Sequence, residues 1–359
     1  MPLLRRAATP EEAALLSRRR EPRPARIRLL RFLPVLVILG LLVHVLLPRL
    51  ASVETSIATI HTLEPWAIAV ALLSEILSYV SNGALLQAIV KLGDDRLRLA
   101  RAAAIELGAG SVALVAAGSL GFGAAIYRWC RGSGVSRESA MLASWLPSLF
   151  DALALALFAL AGALELVVRH ELSPATELAL GIVMGALALV VGAVVVLLVR
   201  DDWMNALAVR GTRWIKRIRP AADESVLTDI ADHAAEAWKT IRSGAWLRPT
   251  CYSLLFLTFD LLCLRFVFIA ARQRLPIALV IAGYGVPVLL GRVSFLPGGI
   301  AVVEVAMAAL YSGLGVPAGA AVVVVLTYRL ISFWLPAVSG IPIAVTFESH
   351  RRRARRRGD

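Results

Sequence analysis

Six runs of apolar residues, each long enough to cross a bilayer, constrain this chain more than any other feature. They fall at about 30–48, 65–90, 138–168, 175–199, 248–271 and 317–347. A helix of about 20 residues spans the ~30 Å hydrocarbon core. Inside that core every backbone polar group must be satisfied by the segment itself or by a closed sheet, and barrel strands alternate in hydropathy along short stretches. The runs here are long and continuous, so the expected fold is an all-α polytopic membrane protein. A mean hydropathy of +0.75 and a charged fraction of only 18% agree. Before the first run, Met1 to Arg31 is a long Arg-rich tail with prolines, unlike the brief basic start of a cleaved signal, so Phe32 to Leu47 reads as a retained helix.

Two further apolar regions, 99–127 and 276–314, are dense in glycine: Gly108, Gly110, Gly118, Gly121 and Gly123 in one, Gly283, Gly285, Gly291, Gly298, Gly299 and Gly313 in the other. Charge placement decides how they thread. If each enters and leaves by the same face, the N-terminal segment, 91–101, 128–137, 200–248 and the residues after 347 share one side and carry 31 Lys and Arg. The other side holds Arg49, Arg169, Arg272 and Arg274. That asymmetry follows the positive-inside rule, and a single crossing by each region would break it. The regions are therefore expected to be re-entrant broken hairpins, with both termini cytoplasmic and the protein in a bacterial inner membrane. The order crossing, hairpin, crossing then occurs at 65–168 and, inverted, at 248–347. Gly134-Val135-Ser136 with Ala140 echoes Gly315-Val316-Pro317 with Ala321. Inverted repeats with interrupted helices are how many secondary transporters build a midplane site. The resulting domains are a basic tail (1–29), a membrane domain (30–347) with an amphipathic segment inserted at 200–248, and a polybasic tail (348–359).

The sharpest local motif is Phe295-Leu296-Pro297-Gly298-Gly299, followed by Glu304. Proline removes a backbone donor and glycine permits sharp turns, so a helix should break at Pro297, Gly298 and Gly299. Arg329, about a dozen residues into the last crossing, costs on the order of 2.5–3.5 kcal/mol to insert unless it pairs or meets water. Glu304 is its natural partner, and Arg329, Arg292 or Arg128 could hold a phosphate. Glu75, Glu106, Asp151, Asp260 and Arg265 also lie inside apolar runs. Such acids suit proton coupling, a cationic headgroup or structural hydrogen bonding. Asp260 and Arg265 sit about 140° apart around one helix and need not pair.

Other chemistry is poorly supported. The five histidines are dispersed, and Cys130, Cys251 and Cys263 are too scattered for a disulfide framework or a metal site. Neither an enzyme nor a cofactor is expected. The basic residues flank apolar runs, whereas nucleic-acid binding needs a basic soluble face. Asp94-Asp95 and Asp201-Asp202 could be imagined holding a metal for glycosyl transfer, but helix capping accounts for them more simply. A transferase using a lipid-linked donor, and an accessory subunit of a lipid or polysaccharide assembly complex, stay as alternatives.

The stretch Phe295-Leu296-Pro297-Gly298-Gly299 with Glu304, then Gly315-Val316-Pro317, then Tyr328-Arg329-Leu330-Ile331-Ser332-Phe333-Trp334-Leu335-Pro336 with Gly340, resembles the lysylphosphatidylglycerol synthase transmembrane-region family of flippase-like proteins. Tyr127-Arg128 and Gly134-Val135-Ser136 are similar in the first half. The resemblance implies a fold that moves a phospholipid or polyprenyl-linked lipid between leaflets, and Pro297, Gly298, Gly299, Glu304 and Arg329 match its pattern. The bifunctional members join this region to a soluble aminoacyl-transferase domain. With Asp359 as the last residue, lysyl transfer is not expected here. A Pro-Gly-Gly break is missing from the first hairpin, where Ser119 to Gly123 stands instead.

Overall fold

A computed structural model describes residues 62–115, 118–169, 245–294 and 297–357, with isolated positions at 185, 189 and 192. The expected crossings at 30–48 and 175–199, the N-terminal tail, Asp201-Asp202 and nearly all of 200–248 lie outside the described residues. Every regular element described is helical: α1 (Pro65–Leu92), α2 (Leu99–Val115), α3 (Ser119–Arg131), α4 (Arg137–Arg169), α5 (Leu247–Ala270), α6 (Ile277–Val293), a 3-10 turn (Pro297–Gly299), α7 (Val302–Gly313), α8 (Ala318–Arg329), a π segment (Leu330–Trp334) and α9 (Leu335–Arg357). Four stretches are long and apolar enough to cross a membrane: Pro65–Leu92, Arg137–Glu165, Leu247–Ala270 and Ala318–Ser349. They coincide with four of the six expected crossings. The chain is a multi-pass α-helical membrane protein.

Between these long helices stand the two glycine-dense regions, each folded as a helical hairpin. With 17 and 13 residues, α2 and α3 reach roughly 25 Å and 20 Å at 1.5 Å per residue, short of the hydrocarbon thickness. α6 and α7, with 17 and 12 residues, are alike. In the second hairpin the arms run antiparallel: the Tyr311 hydroxyl donates to the Val280 carbonyl at the open end, 2.8 Å away, while Gly291 meets Gly299 at the tip. A Cβ on Gly299 would lie 2.6 Å from the Gly291 Cα, so the arms close only because both residues lack one.

The inverted repeat is visible in how the helices pack. α1 lies along α5, and the contact of α4 with α6 is matched by that of α9 with α2. α1 and α5 are antiparallel: Glu64 N–H donates to the Ala270 carbonyl at one end, and Ser78 Oγ donates to the Phe256 carbonyl near the middle. Local devices repeat as well. Gln87 donates to the Leu97 carbonyl and Arg265 to the Leu275 carbonyl, with Asp94 and Arg272 between them both at positive φ (60° and 55°). These pairs stand at one sequence separation, the same as that from Ser78 to Phe256. In the hairpins, Gly118 and Gly299 share positive φ (57° and 64°), as do Gly134 and Gly315 (87° and 92°). Val135 N–H closes onto the Cys130 carbonyl just as Val316 N–H closes onto that of Tyr311, the six-to-one bond of a Schellman turn.

In the last crossing, helix continues through Pro336 and Gly340. The irregularity lies one turn earlier, in the π segment, where a wider register absorbs the backbone bond that Pro336 cannot make. Gly340 instead lets α9 touch α2: a Cβ there would lie 2.3 Å from the Leu107 carbonyl oxygen, and Ser111 Oγ donates to the Ala337 carbonyl at 2.6 Å.

Candidate functional site

The break between α6 and α7 is built from three left-handed residues, Gly298, Gly299 and Ala301, with φ of 63°, 64° and 70°. Such a turn leaves backbone carbonyls outside any helical ladder, and at membrane depth these need partners. Arg329, the last residue of α8, provides one. Its Nη2 donates to the Gly298 carbonyl at 2.9 Å, and its Nε donates to Glu304 Oε1 at 2.7 Å. The guanidinium also lies over the Phe333 ring, 4.2 Å from its centroid, a cation–π arrangement. Phe333 reaches that position from the π segment and closes against Gly298, where a Cβ would come within 2.2 Å of the ring. Both charged residues are buried, at 1% exposure for Glu304 and 8% for Arg329. Taking two charges out of water is expensive, and good geometry with further hydrogen bonds is what offsets it. Glu304 Oε2 has no partner among the described residues.

One helical position away, Tyr328 donates to Asp260 of α5 at 2.8 Å, and Tyr284 of α6 donates to the same carboxyl at 2.7 Å. Glu75 of α1 feels the charge of Asp260, and its Oε2 is buried without a hydrogen-bond partner among the described residues. Asp151 of α4 accepts from Ser253 of α5 at 2.8 Å, and Glu106 of α2 accepts from Asn82 at 3.4 Å. Arg292, exposed at the end of α6, acts electrostatically on both Asp151 and Asp260. Helices from both repeats thus deliver polar groups to the protein interior.

Of the residues singled out from sequence, Gly298, Glu304 and Arg329 form one contact unit, with Pro297 and Gly299 in the same turn. Asp260 joins it through Tyr328, next to Arg329 in the chain. Asp151 is tied to α5, acts electrostatically on Glu106, and is linked to Asp260 through the field of Arg292. Arg128 is joined to none of them by an ion pair among the described residues. It sits half-buried on α3, and its Nε is buried without a partner. Asp260 and Arg265 point to different partners, as their angular separation anticipates. Tyr284, Ser253 and Asn82 were not among the candidates. Tyr284 could have been noticed as a hydroxyl flanked by Gly283 and Gly285 inside an apolar run, whereas nothing local marks the other two.

Asp95 of the cytoplasm-assigned pair has a structural occupation. It accepts the Ser136 N–H at 2.9 Å where α4 begins, and Ser136 Oγ in turn caps the Ser139 N–H. Hydrogen bonds from Ser136 and Ser139 hold its carboxyl below the usual carboxylate range. Among the described residues no group of His, Cys, Asp and Glu is placed to hold a metal ion. Cys130 and Cys263 are buried and Cys251 is exposed, all as free thiols.

Comparison with known proteins places this arrangement. Residues 33–340 match the family described as the lysylphosphatidylglycerol synthase TM region, which includes both hairpins and the Arg329–Glu304 pair. A UPF0104 membrane protein of Pyrococcus horikoshii is 34% identical over 89 residues, which is 25% of this chain. The matched stretch spans only 27% of that relative's length. The family match covers most of the chain, and the chain therefore belongs to the lysylphosphatidylglycerol synthase transmembrane-region family.

Proposed function

We propose that the protein translocates an amphipathic lipid, a phospholipid or a polyprenyl-linked precursor, between the leaflets of a bacterial inner membrane. In this reading it is a transporter and not an enzyme, with both termini cytoplasmic and the two hairpins re-entrant from opposite faces.

The observation that carries the reading is the buried Arg329–Glu304 pair fastened to the Gly298 carbonyl at the tip of a broken hairpin. A fixed structural kink could be closed with apolar side chains at lower electrostatic cost. A charged clamp between α8 and the hairpin has a second use, because exchanging one partner for a ligand releases the tip. Arg329 is committed to Glu304 and Gly298, so Arg128 and Arg292, with donors to spare, are the better first contacts for a lipid phosphate. The inverted packing of α4 on α6 and of α9 on α2 supplies two related interfaces that can open alternately. The alternative transferase is disfavoured at Asp95, whose carboxyl is already occupied at the start of α4.

The test is reconstitution. Purified protein in liposomes should accelerate exchange of a fluorescent phospholipid or polyprenyl-phosphate lipid between leaflets, read by dithionite quenching. Arg329→Ala should abolish the acceleration. Wild-type rates in a folded Arg329→Ala protein, or no acceleration with any lipid class, would overturn the reading.

A further inference from the structure

At the end of the molecule where α1 begins and α5 finishes, a groove of about 820 Å³ is lined by the apolar Trp66, Ile269, Leu275 and Pro276 and by the guanidinium groups of Arg265, Arg272 and Arg274. Among the described residues Glu64 is the one carboxylate in its lining. Glu64 Oε1 receives both Nε and Nη2 of Arg272, at 2.9 Å and 2.6 Å. A guanidinium has five donors, so Arg272 retains others, and Arg274 is exposed. Three guanidinium groups against one carboxylate leave a net positive recess with an aromatic rim, since Trp66 is 56% exposed. Tryptophan with arginine at an apolar boundary is the composition of a headgroup-level lipid contact.

The internal repeat sharpens this. Gln87 makes to the Leu97 carbonyl the bond that Arg265 makes to that of Leu275, and Asp94 occupies the left-handed position of Arg272. The fold therefore needs neither arginine for its local geometry, since an uncharged amide and a carboxylate serve at the matching places. At those two places the positive charge is an addition, whereas Arg274 has an arginine, Arg96, at its matching place. On the threading derived above, the face with the groove holds few other cations.

We propose that this groove binds the phosphate of an anionic phospholipid headgroup in the extracytoplasmic leaflet. The site is separate from the Arg329–Glu304 unit, and only the leaflet named rests on the orientation given under the proposed function. The shared chemistry is a phosphate anion, and the occupant is a lipid because Trp66, Ile269, Leu275 and Pro276 line the same groove as the arginines.

The full chain would carry p-benzoylphenylalanine in place of Ile269 inside the groove, or in place of Leu255 on the same helix as a control. Each protein would be photolysed in nanodiscs containing phosphatidylglycerol and phosphatidylcholine. Phosphatidylglycerol adducts should dominate at 269 and show no preference at 255. Arg265→Gln with Arg274→Gln keeps the bond that Gln87 exemplifies while removing charge, and should reduce the preference at 269 about tenfold. An unchanged preference in the folded double variant, or none in the parent, would overturn the site. A parallel arm measures radiolabelled inorganic phosphate on the detergent-purified protein. Charge-dependent phosphate retention without lipid adducts would overturn the lipid as occupant. Since adduct formation needs no transport, a failed exchange assay with intact adducts would sink the translocator reading alone.

Discussion

Arg329 illustrates how much a single residue can tie together. Its donors reach a carboxylate on α7 and a carbonyl in the 3-10 turn, and its plane covers a ring from the π segment. Removing Glu304 alone strands a buried guanidinium, so Glu304→Ala should destabilise the protein by about 3–5 kcal/mol. Glu304→Leu combined with Arg329→Met should regain most of that thermal stability, read by intrinsic fluorescence in detergent, while lipid exchange stays lost. A double variant no more stable than Glu304→Ala would mean that the pair is indispensable to folding. Asp95 makes a smaller and pH-dependent contribution. Its carboxyl is held below the ordinary range in the folded protein, so its contribution is complete above the unfolded value and fades as pH falls through the folded one. Asp95→Ala should lower the thermal midpoint at pH 7, and the difference from the parent should shrink as pH falls below the usual carboxylate range. A difference that stays constant would refute the assignment.

At the scale of elements, the two hairpins break by different means. Gly118 and Gly298 both have positive φ, yet a Cβ on Gly118 meets nothing within 4 Å, whereas one on Gly298 drives into Phe333. Gly118→Ala should therefore cost only backbone strain, since φ 57° with ψ −123° is a region that favours glycine. Gly298→Ala, at φ 63° and ψ 14°, should cost the left-handed penalty of roughly 1–2 kcal/mol and also displace Phe333 from Arg329. The discriminating measurement is thermal unfolding of Gly298→Ala with and without Phe333→Ala: a loss unchanged by the added substitution would contradict the packing described. Adding Phe333→Ala should restore only part of the Gly298→Ala loss. The presence of a second hairpin at 276–314 was legible from glycine density and charge balance. Its clamp was only half legible, because Glu304 was named as a partner for Arg329 but the Gly298 carbonyl was not. Backbone acceptors freed by a turn leave no mark on residue identity.

For the whole molecule, the prediction concerns sidedness and the α1–α5 pair. With native cysteines removed, Ser133→Cys should be labelled from the cytoplasm and Arg274→Cys from outside, in intact cells against inverted vesicles. Labelling of position 133 from outside would sink the re-entrant threading. Cysteines at Glu64 and Arg272 should join through a short bifunctional reagent, because those residues form an ion pair across the two repeats.

By itself the sequence determined the membrane class, the four described crossings and the pair of broken regions, because hydropathy, charge bias and Gly-Pro chemistry act locally along the chain. It also hinted at the repeat through Gly134-Val135 and Gly315-Val316, whose left-handed glycines end matching helices. Only the tertiary structure decided that α1 lies against α5, that Tyr284 and Tyr328 both donate to Asp260, and that three arginines gather in one recess. Those contacts join residues far apart in the chain on helices whose apolar surfaces all suit lipid equally well. Hydropathy tells a helix to enter the membrane, and packing among polar groups and glycines tells it which neighbour to face.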